Sequence, residues 1–147
     1  MRSLNKNRKD RKGREQGYWE DLHINGVIRC KGLYVNGLRE GYWEYYDEDG
    51  CLYYKGSYNG GYKNGLFEYY NNGLFEYYNN NIIKSRGVFN NDRFEGIWEY
   101  YYPNGQLHIK GSYVSGEKEG IWEYYYSDGD LDFKVLFTNG KFIEYVK

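Results

Sequence analysis

Residues 41–64 read GYWEYYDEDGCLYYKGSYNGGYKN, and the phrase returns as GYWEDLHINGVIRCKGLYVNGLRE at 17–40, GIWEYYYPNGQLHIKGSYVSGEKE at 96–119 and GIWEYYYSDGDLDFKVLFTNGKFI at 120–143. Self-similarity at a fixed short period marks a fold built by stacking one supersecondary unit on the next. The opening glycines Gly17, Gly41, Gly65, Gly96 and Gly120 stand 24 residues apart, except for an interval of 31 after Gly65. In that interval the octet NGLFEYYN occurs twice in succession, at 64–71 and 72–79. The long interval is therefore a slightly shortened unit carrying an eight-residue duplication within 65–80.

Each unit has two strand-like runs joined by Asn25-Gly26, Asp49-Gly50, Asn104-Gly105 or Asp128-Gly129. These dipeptides favour a two-residue type I′ hairpin turn, and a fixed turn fixes the register of the strands beside it. Folding there sets Glu20 opposite Lys31, Glu44 opposite Lys55, Glu99 opposite Lys110 and Glu123 opposite Lys134. It also sets Trp19, Trp43 and Trp98 opposite Gly32, Gly56 and Gly111. A second short turn, at Val35–Leu38 and Val114–Glu117, links one hairpin to the next and predicts Cys30 opposite Trp43 and Ile109 opposite Trp122. Consecutive hairpins then share strands. The predicted fold is all-β: an elongated, single-layer antiparallel β-meander of about five stacked 24-residue hairpin units over residues 17–147, roughly ten strands and about 50 Å long.

Composition agrees with that class. The 147 residues include 21 Tyr, 7 Phe and 4 Trp with 20 Gly and 1 Pro, so strand formers and turn formers dominate. Alternation along a strand places Trp43, Tyr45, Leu52, Tyr54 and Tyr58 with their repeats on one face, and Tyr42, Glu44, Tyr46, Tyr53 and Lys55 on the other. At about 25 cal/mol per Å² and about 150–250 Å² per ring, each buried aromatic contributes at most roughly 4–6 kcal/mol, so the aromatic face is the expected core. The last unit carries Val135 and Glu144 where glycines are expected, as terminal units of stacked repeats often do.

Net charge is -1, yet residues 1–16 hold seven basic side chains, Arg2, Lys6, Arg8, Lys9, Arg11, Lys12 and Arg14, against Asp10 and Glu15. This leader has no apolar periodicity and is expected to be a disordered basic tail able to touch membrane phospholipid or nucleic acid. It lacks the apolar core of a secretory signal and no later run is long enough to span a membrane, which, with only Cys30 and Cys51 present, points to an intracellular setting. For the duplicated octet, the second copy at 74–78 is expected to take the regular strand, setting Glu76 opposite Arg86 and Phe75 opposite Gly87. The first copy at 66–70 is then an extra strand or a bulge.

The phrase G-x-W-E-Y-Y-x-x-[DN]-G-x-L-x-x-K-G-x-Y-x-x-G, present at 41–61 and 96–116, resembles the MORN-repeat variant of bacterial antitoxin-like and some viral and phage proteins. The resemblance implies a single-layer sheet of hairpins used for protein contacts and, in some relatives, lipid contact. The octet, Asn81, Asp92 and the basic leader depart from its pattern. Choline-binding cell-wall repeats stack similar W-Y-Y hairpins, but with a unit nearer 20 residues and on exported proteins.

Chemistry has little foothold. His23 and His108 lie in different units, no serine or cysteine sits in a nucleophile motif, and His23, Cys30, Cys51 and His108 lack zinc spacing, so no enzyme, metal or cofactor is expected. The recurrent glutamates face lysines and serve as scaffold. The function read from the residues is a non-enzymatic interaction or scaffold module contacting a protein partner or another copy of itself. Its candidate contact face is Trp43, Tyr45, Tyr54, Tyr69, Tyr77, Trp98, Tyr100, Trp122 and Tyr124. Anion contact through the basic leader, an antitoxin-like role and a small cation held between aromatic rows are the alternatives.

Overall fold

The computed structural model describes residues 6–70 and 82–147. These form twelve strands: β1 (Arg8–Lys9), β2 (Glu15–Leu22), β3 (Ile28–Val35), β4 (Leu38–Tyr46), β5 (Leu52–Asn59), β6 (Tyr62–Tyr70), β7 (Ile83–Asn90), β8 (Arg93–Tyr101), β9 (Leu107–Val114), β10 (Glu117–Tyr125), β11 (Leu131–Thr138) and β12 (Lys141–Val146). They lie in one sheet in chain order, every neighbouring pair antiparallel, with no helix among the described residues. The hairpin meander is thus as the repeat dictates, and the intra-hairpin register is too: Glu20 faces Lys31, Glu44 faces Lys55, Glu99 faces Lys110 and Glu123 faces Lys134.

The turns exchange roles with those expected. At the first turn only Gly26 has positive φ, at 86°, while the His23 amide donates to Val27 O at 2.8 Å and the Gly26 amide to His23 O at 3.0 Å. This is a three-residue loop closed by a glycine bulge, because Asn25 Oδ1 accepts from the Val27 amide at 3.0 Å and holds Asn25 in an Asx turn. One extra residue in the following strand, Arg29, restores the register between the pairs Leu22–Ile28 and Asp21–Cys30. The I′ geometry, with both central residues at positive φ, falls instead at the second turns: Asn36-Gly37 at 54° and 82°, Asn91-Asp92 at 47° and 63°, Ser115-Gly116 at 52° and 94°.

A second correction concerns the pairing between hairpins. Val35 faces Leu38 and Leu33 faces Glu40, but Lys31 faces Glu44 and Cys30 faces Tyr45, not Trp43. Likewise Ile109 faces Tyr124 and not Trp122. Two additional residues, Gly41 and Tyr42, bow out of β4, and Gly41 reaches the required φ of 64° without a Cβ penalty. The same two-residue bulge recurs in β6, β8 and β10. In β12 Glu144 replaces the glycine, and the offset there is a single residue.

A displacement of two keeps every side chain on its own face and slides acid onto base. One row then crosses the sheet as Glu20, Lys31, Glu44, Lys55, Glu68, Arg86, Glu99, Lys110, Glu123, Lys134. Ion pairs of 2.6–3.3 Å join Lys31–Glu44, Lys55–Glu68, Arg86–Glu99, Lys110–Glu99 and Lys134–Glu123. Without the bulge Lys31 would face Tyr42.

On the opposite face three of the four indoles lie flat on the glycine of the strand before them, Trp43 on Gly32, Trp98 on Gly87 and Trp122 on Gly111, and Phe67 does the same on Gly56. The covering ring thus comes from the next hairpin, not from within the same one. The indole N–H donates to the carbonyl after that glycine: Trp43 to Leu33 O at 3.1 Å, Trp98 to Val88 O at 3.0 Å, Trp122 to Ser112 O at 3.2 Å. Trp43, Phe67 and Trp98 share one buried cluster with Tyr58 and Phe89, so the rings do line a common side.

The first copy of the duplicated octet departs from expectation. It occupies a regular strand, with Glu68 facing Lys55 on one side and Arg86 on the other, and Phe67 facing Gly56 and Gly87. Pairing directly from β5 through the Gly60-Gly61 turn leaves the first copy no reason to step aside. The second copy, 74–78, lies outside the described residues, as does Tyr77.

Within the described part of the leader, residues 6–16, local structure forms where composition alone predicts a disordered tail. Arg8 and Lys9 pair with Gln16 and Glu15, and Asp10 caps the turn by accepting from the Lys12 and Arg14 amides at 2.8 and 3.0 Å. The Asn7 carboxamide imitates a strand: its Nδ2 donates to Glu20 O at 2.7 Å and its Oδ1 accepts the Glu20 amide at 2.8 Å. Lys6 reaches Glu20 at 2.5 Å and extends the ion row by one. Composition alone hides these few local bonds.

Candidate functional site: the two faces of the sheet

The aromatic face has two levels. Its floor is Trp43, Phe67, Trp98 and Trp122, none more than 2% exposed, which removes the tryptophans from the candidate contact residues. Above and beside them runs a row, one residue per strand: Cys30, Tyr45, Tyr54, Tyr69, Ser85, Tyr100, Ile109, Tyr124, Phe133. Its rings stack, Tyr45 on Tyr54 at 4.2 Å, Tyr54 on Tyr69 at 5.4 Å and Tyr124 on Phe133 at 4.6 Å between centroids. Tyr45, Tyr54, Tyr69, Tyr100 and Tyr124 are half-buried, so each keeps an accessible edge.

Cations close parts of this face from within. Arg39 lies 4.9 Å from the Tyr58 centroid and donates to Tyr45 Oη at 2.8 Å. Lys63 stands 4.8–5.5 Å from Tyr54, Phe67, Tyr69 and Phe89 and donates to Tyr69 Oη at 2.9 Å. Lys118 lies 4.1 Å from the Trp122 centroid, and burial lowers its ammonium pKa. The corresponding place in β8 is taken by Phe94, whose ring packs 4.5 Å from Trp98 and 5.0 Å from Tyr113. Burial, with the Tyr113 hydroxyl beside it, raises the Tyr100 phenol well above its ordinary value.

The reverse face carries the ion row between two others. On one side Tyr46, Tyr70, Tyr101 and Tyr125 donate to Glu44, Glu68, Glu99 and Glu123 at 2.8–3.1 Å. For Glu44 burial works toward protonation, but the Lys31 and Tyr46 hydrogen bonds outweigh it and its pKa is lowered; Glu99 follows the same balance with Arg86 and Tyr101. On the other side Leu33, Tyr42, Leu66, Val88, Ile97 and Ile121 stand 38–57% exposed. Tyr42, Leu66, Ile97 and Ile121 hold the position before the covering Trp or Phe of each unit, and Leu33 and Val88 the position after the covered glycine, so the apolar row was visible in the repeat although no role was read for it.

The remaining candidates are dispersed. His23 Nε2 lies 2.9 Å from Tyr46 O, His108 packs on Tyr102 at 4.1 Å, and no group of metal-ligating side chains occurs among the described residues. In the leader Lys6 and Arg14 are engaged with Glu20 and Asp10, Lys9 stands 3.9 Å from Glu15, Arg8, Arg11 and Lys12 are exposed, and Arg2 lies outside the described residues.

With tryptophan laid on glycine and a bulge glycine in every unit, the repeat has a recognisable signature, and the MORN repeat variant matches at 39–59, 94–115 and 118–139. Three segments of this chain, each one hairpin, match the MORN repeat variant. Each matched segment begins just past a type I′ turn and ends at or near the next, so the MORN unit is one bulged strand with the strand that follows it. The MORN match skips 60–93, which holds the octet duplication, and 15–35, next to the leader hairpin. No curated protein matches the chain.

Proposed function

We propose that the protein is a non-enzymatic interaction module whose tyrosine row, Tyr45, Tyr54, Tyr69, Tyr100 and Tyr124, receives a protein partner. MORN repeats commonly serve as interaction or scaffold modules, which supports the general class. The observation that carries the finer reading is the division of the aromatic face: indoles are consumed as floor, while stacked phenols above them stay accessible on a rigid sheet. Tyrosine presents large area at low entropic cost and dominates interface hot spots. Cross-linked partners should be captured by the wild type, lost with Tyr45, Tyr100 and Tyr124 changed to Ser, and kept with Leu66, Ile97 and Ile121 changed to Ser. The opposite pattern would move the contact to the reverse face and refute the proposal. An antitoxin-like role is the version in which the partner is a toxin.

A second reading has its own support. The leader is a hairpin that holds Arg8, Arg11 and Lys12 exposed at one end of the sheet, a ready contact for an anionic surface. Salt-sensitive binding to phosphatidylserine vesicles or to DNA should vanish when these three become Ser, and binding to neither by the intact chain would end it.

A further inference from the structure

The tyrosine row has a gap. Every strand from β4 to β6 contributes a ring, as do β8, β10 and β11, but β7 contributes Ser85, buried at 8% exposure between Tyr69 and Tyr100. Strands lie about 4.8 Å apart, so the rings on either side of Ser85 stand about 10 Å from one another, the space of one further ring. A cavity of about 220 Å³ lies at that position, lined by Tyr53, Tyr69, Tyr70, Ser85, Phe94, Trp98 and Tyr100, with the exposed Lys84 at its rim. Apolar cavities of about 150 Å³ already take up benzene, so the volume admits a phenyl or phenol group. At Ile109, the other non-aromatic member between two tyrosines, a large side chain fills the row.

We propose that the gap over Ser85 is a receptor slot for one aromatic side chain of a protein partner, which stacks between Tyr69 and Tyr100 and completes the row. This rests on the tyrosine row being the contact face. Charge decides the chemistry of the guest. Lys63 already donates to Tyr69 Oη at 2.9 Å, Lys84 stands at the rim, and no carboxylate lines the cavity, so a lysine or arginine guest meets like charge. A neutral ring meets none, and a carboxylate next to it in the partner would find Lys84. The pattern within the molecule agrees, since Arg39 and Lys118 supply cations to the aromatic face elsewhere, whereas the corresponding place on the Tyr100 side of the slot is given to Phe94.

The probe is N-acetyl-tyrosine amide, titrated into the full chain with its tyrosine rings labelled for NMR, beside the acetyl amides of leucine and arginine. Saturable shifts confined to the lining rings Tyr53, Tyr69, Tyr70 and Tyr100, and largest at Tyr69 and Tyr100, are expected, with the tyrosine amide bound roughly 2- to 10-fold more tightly than the leucine amide and the arginine amide weakest. Ser85→Tyr, which fills the gap with the chain's own ring, should abolish the shifts, as should Ser85→Leu if the tyrosine variant fails to fold. No saturation, stronger binding of the arginine amide, or shifts that persist in a folded Ser85 variant would each overturn the slot. Partner capture that survives in the Ser85 variants while depending on Tyr45 and Tyr124 would retain the contact face and remove only the slot.

Discussion

Replacing Gly111 with alanine tests the central packing device of the sheet. An added Cβ would lie 2.1 Å from Cδ2, 2.3 Å from Cε2 and 2.5 Å from Cγ of Trp122, whereas carbon atoms approach comfortably only to about 3.5 Å. The indole must therefore withdraw by more than about 1 Å. Its 3.2 Å hydrogen bond to Ser112 O does not survive that movement, a loss of about 0.5–1.5 kcal/mol. Overpacking adds about 1–3 kcal/mol, and the smaller unfolded-state entropy of alanine returns about 0.5–1 kcal/mol. The net destabilisation is about 2 kcal/mol, or roughly 7 °C in Tm for a chain of this length. Differential scanning calorimetry measures it, and tryptophan emission should shift to the red as Trp122 leaves its slot. Combining the change with Trp122→Val should recover more than 1 kcal/mol relative to the sum of the two single changes, because the new methyl then meets no indole. The last unit shows the tolerance: on the strand that follows it, Val135 at the glycine position faces Tyr145, where the other units place a covering Trp or Phe. A loss of less than 2 °C, or strict additivity of the pair, would refute the idea that glycine is present to seat the ring.

Other outcomes follow from the same geometry. Phe67→Trp should stabilise by about 1 kcal/mol in urea unfolding, since an indole N–H there would reach Ser57 O as its counterparts reach Leu33, Val88 and Ser112. The folded pKa of Glu44, Glu68, Glu99 and Glu123 is lowered from the ordinary 4.5, so their contribution is complete above that value and is lost as pH falls through the lower, folded one. Tm should accordingly be level from pH 7 to 5 and fall below pH 4.5. Glu99→Gln, which breaks contacts to Arg86, Lys110 and Tyr101, should cost about 1 kcal/mol at pH 7 and make the acid decline shallower. At the other extreme Tyr101 is pushed up to about 12 by burial and the Glu99 carboxylate. A raised phenol pKa favours the folded state below the unfolded value near 10 and loses that advantage above it, so phenolate absorbance should rise together with unfolding between pH 10 and 12.

Much of the site was legible for one reason: a repeat states its own register several times. The Glu–Lys pairs and the common side of the tryptophans came from turn positions and strict alternation, which need no knowledge of neighbours. The pairing between hairpins was misread because Cys30 and Trp43 are related through a bulge that only cross-strand energetics reveals. Glycine at position 41 marked a place where such a bulge was possible, not how many residues it would expel. The apolar row of Tyr42, Leu66, Ile97 and Ile121 was visible in the repeat but was assigned no role, since exposure depends on what lies above the sheet.

By itself the order of residues determined that the chain is a ladder of hairpins, with rings on one side and alternating charge on the other, because period-two alternation and turn chemistry are local. Tertiary structure decided which ring covers which glycine, that the first copy of the octet takes a regular strand, and where the tyrosine row is broken by Ser85. Those outcomes rest on contacts between strands that local sequence does not encode: an indole needs both a bare glycine and a freed carbonyl on the strand before it, and a missing ring becomes a cavity only when its neighbours stand two strands apart.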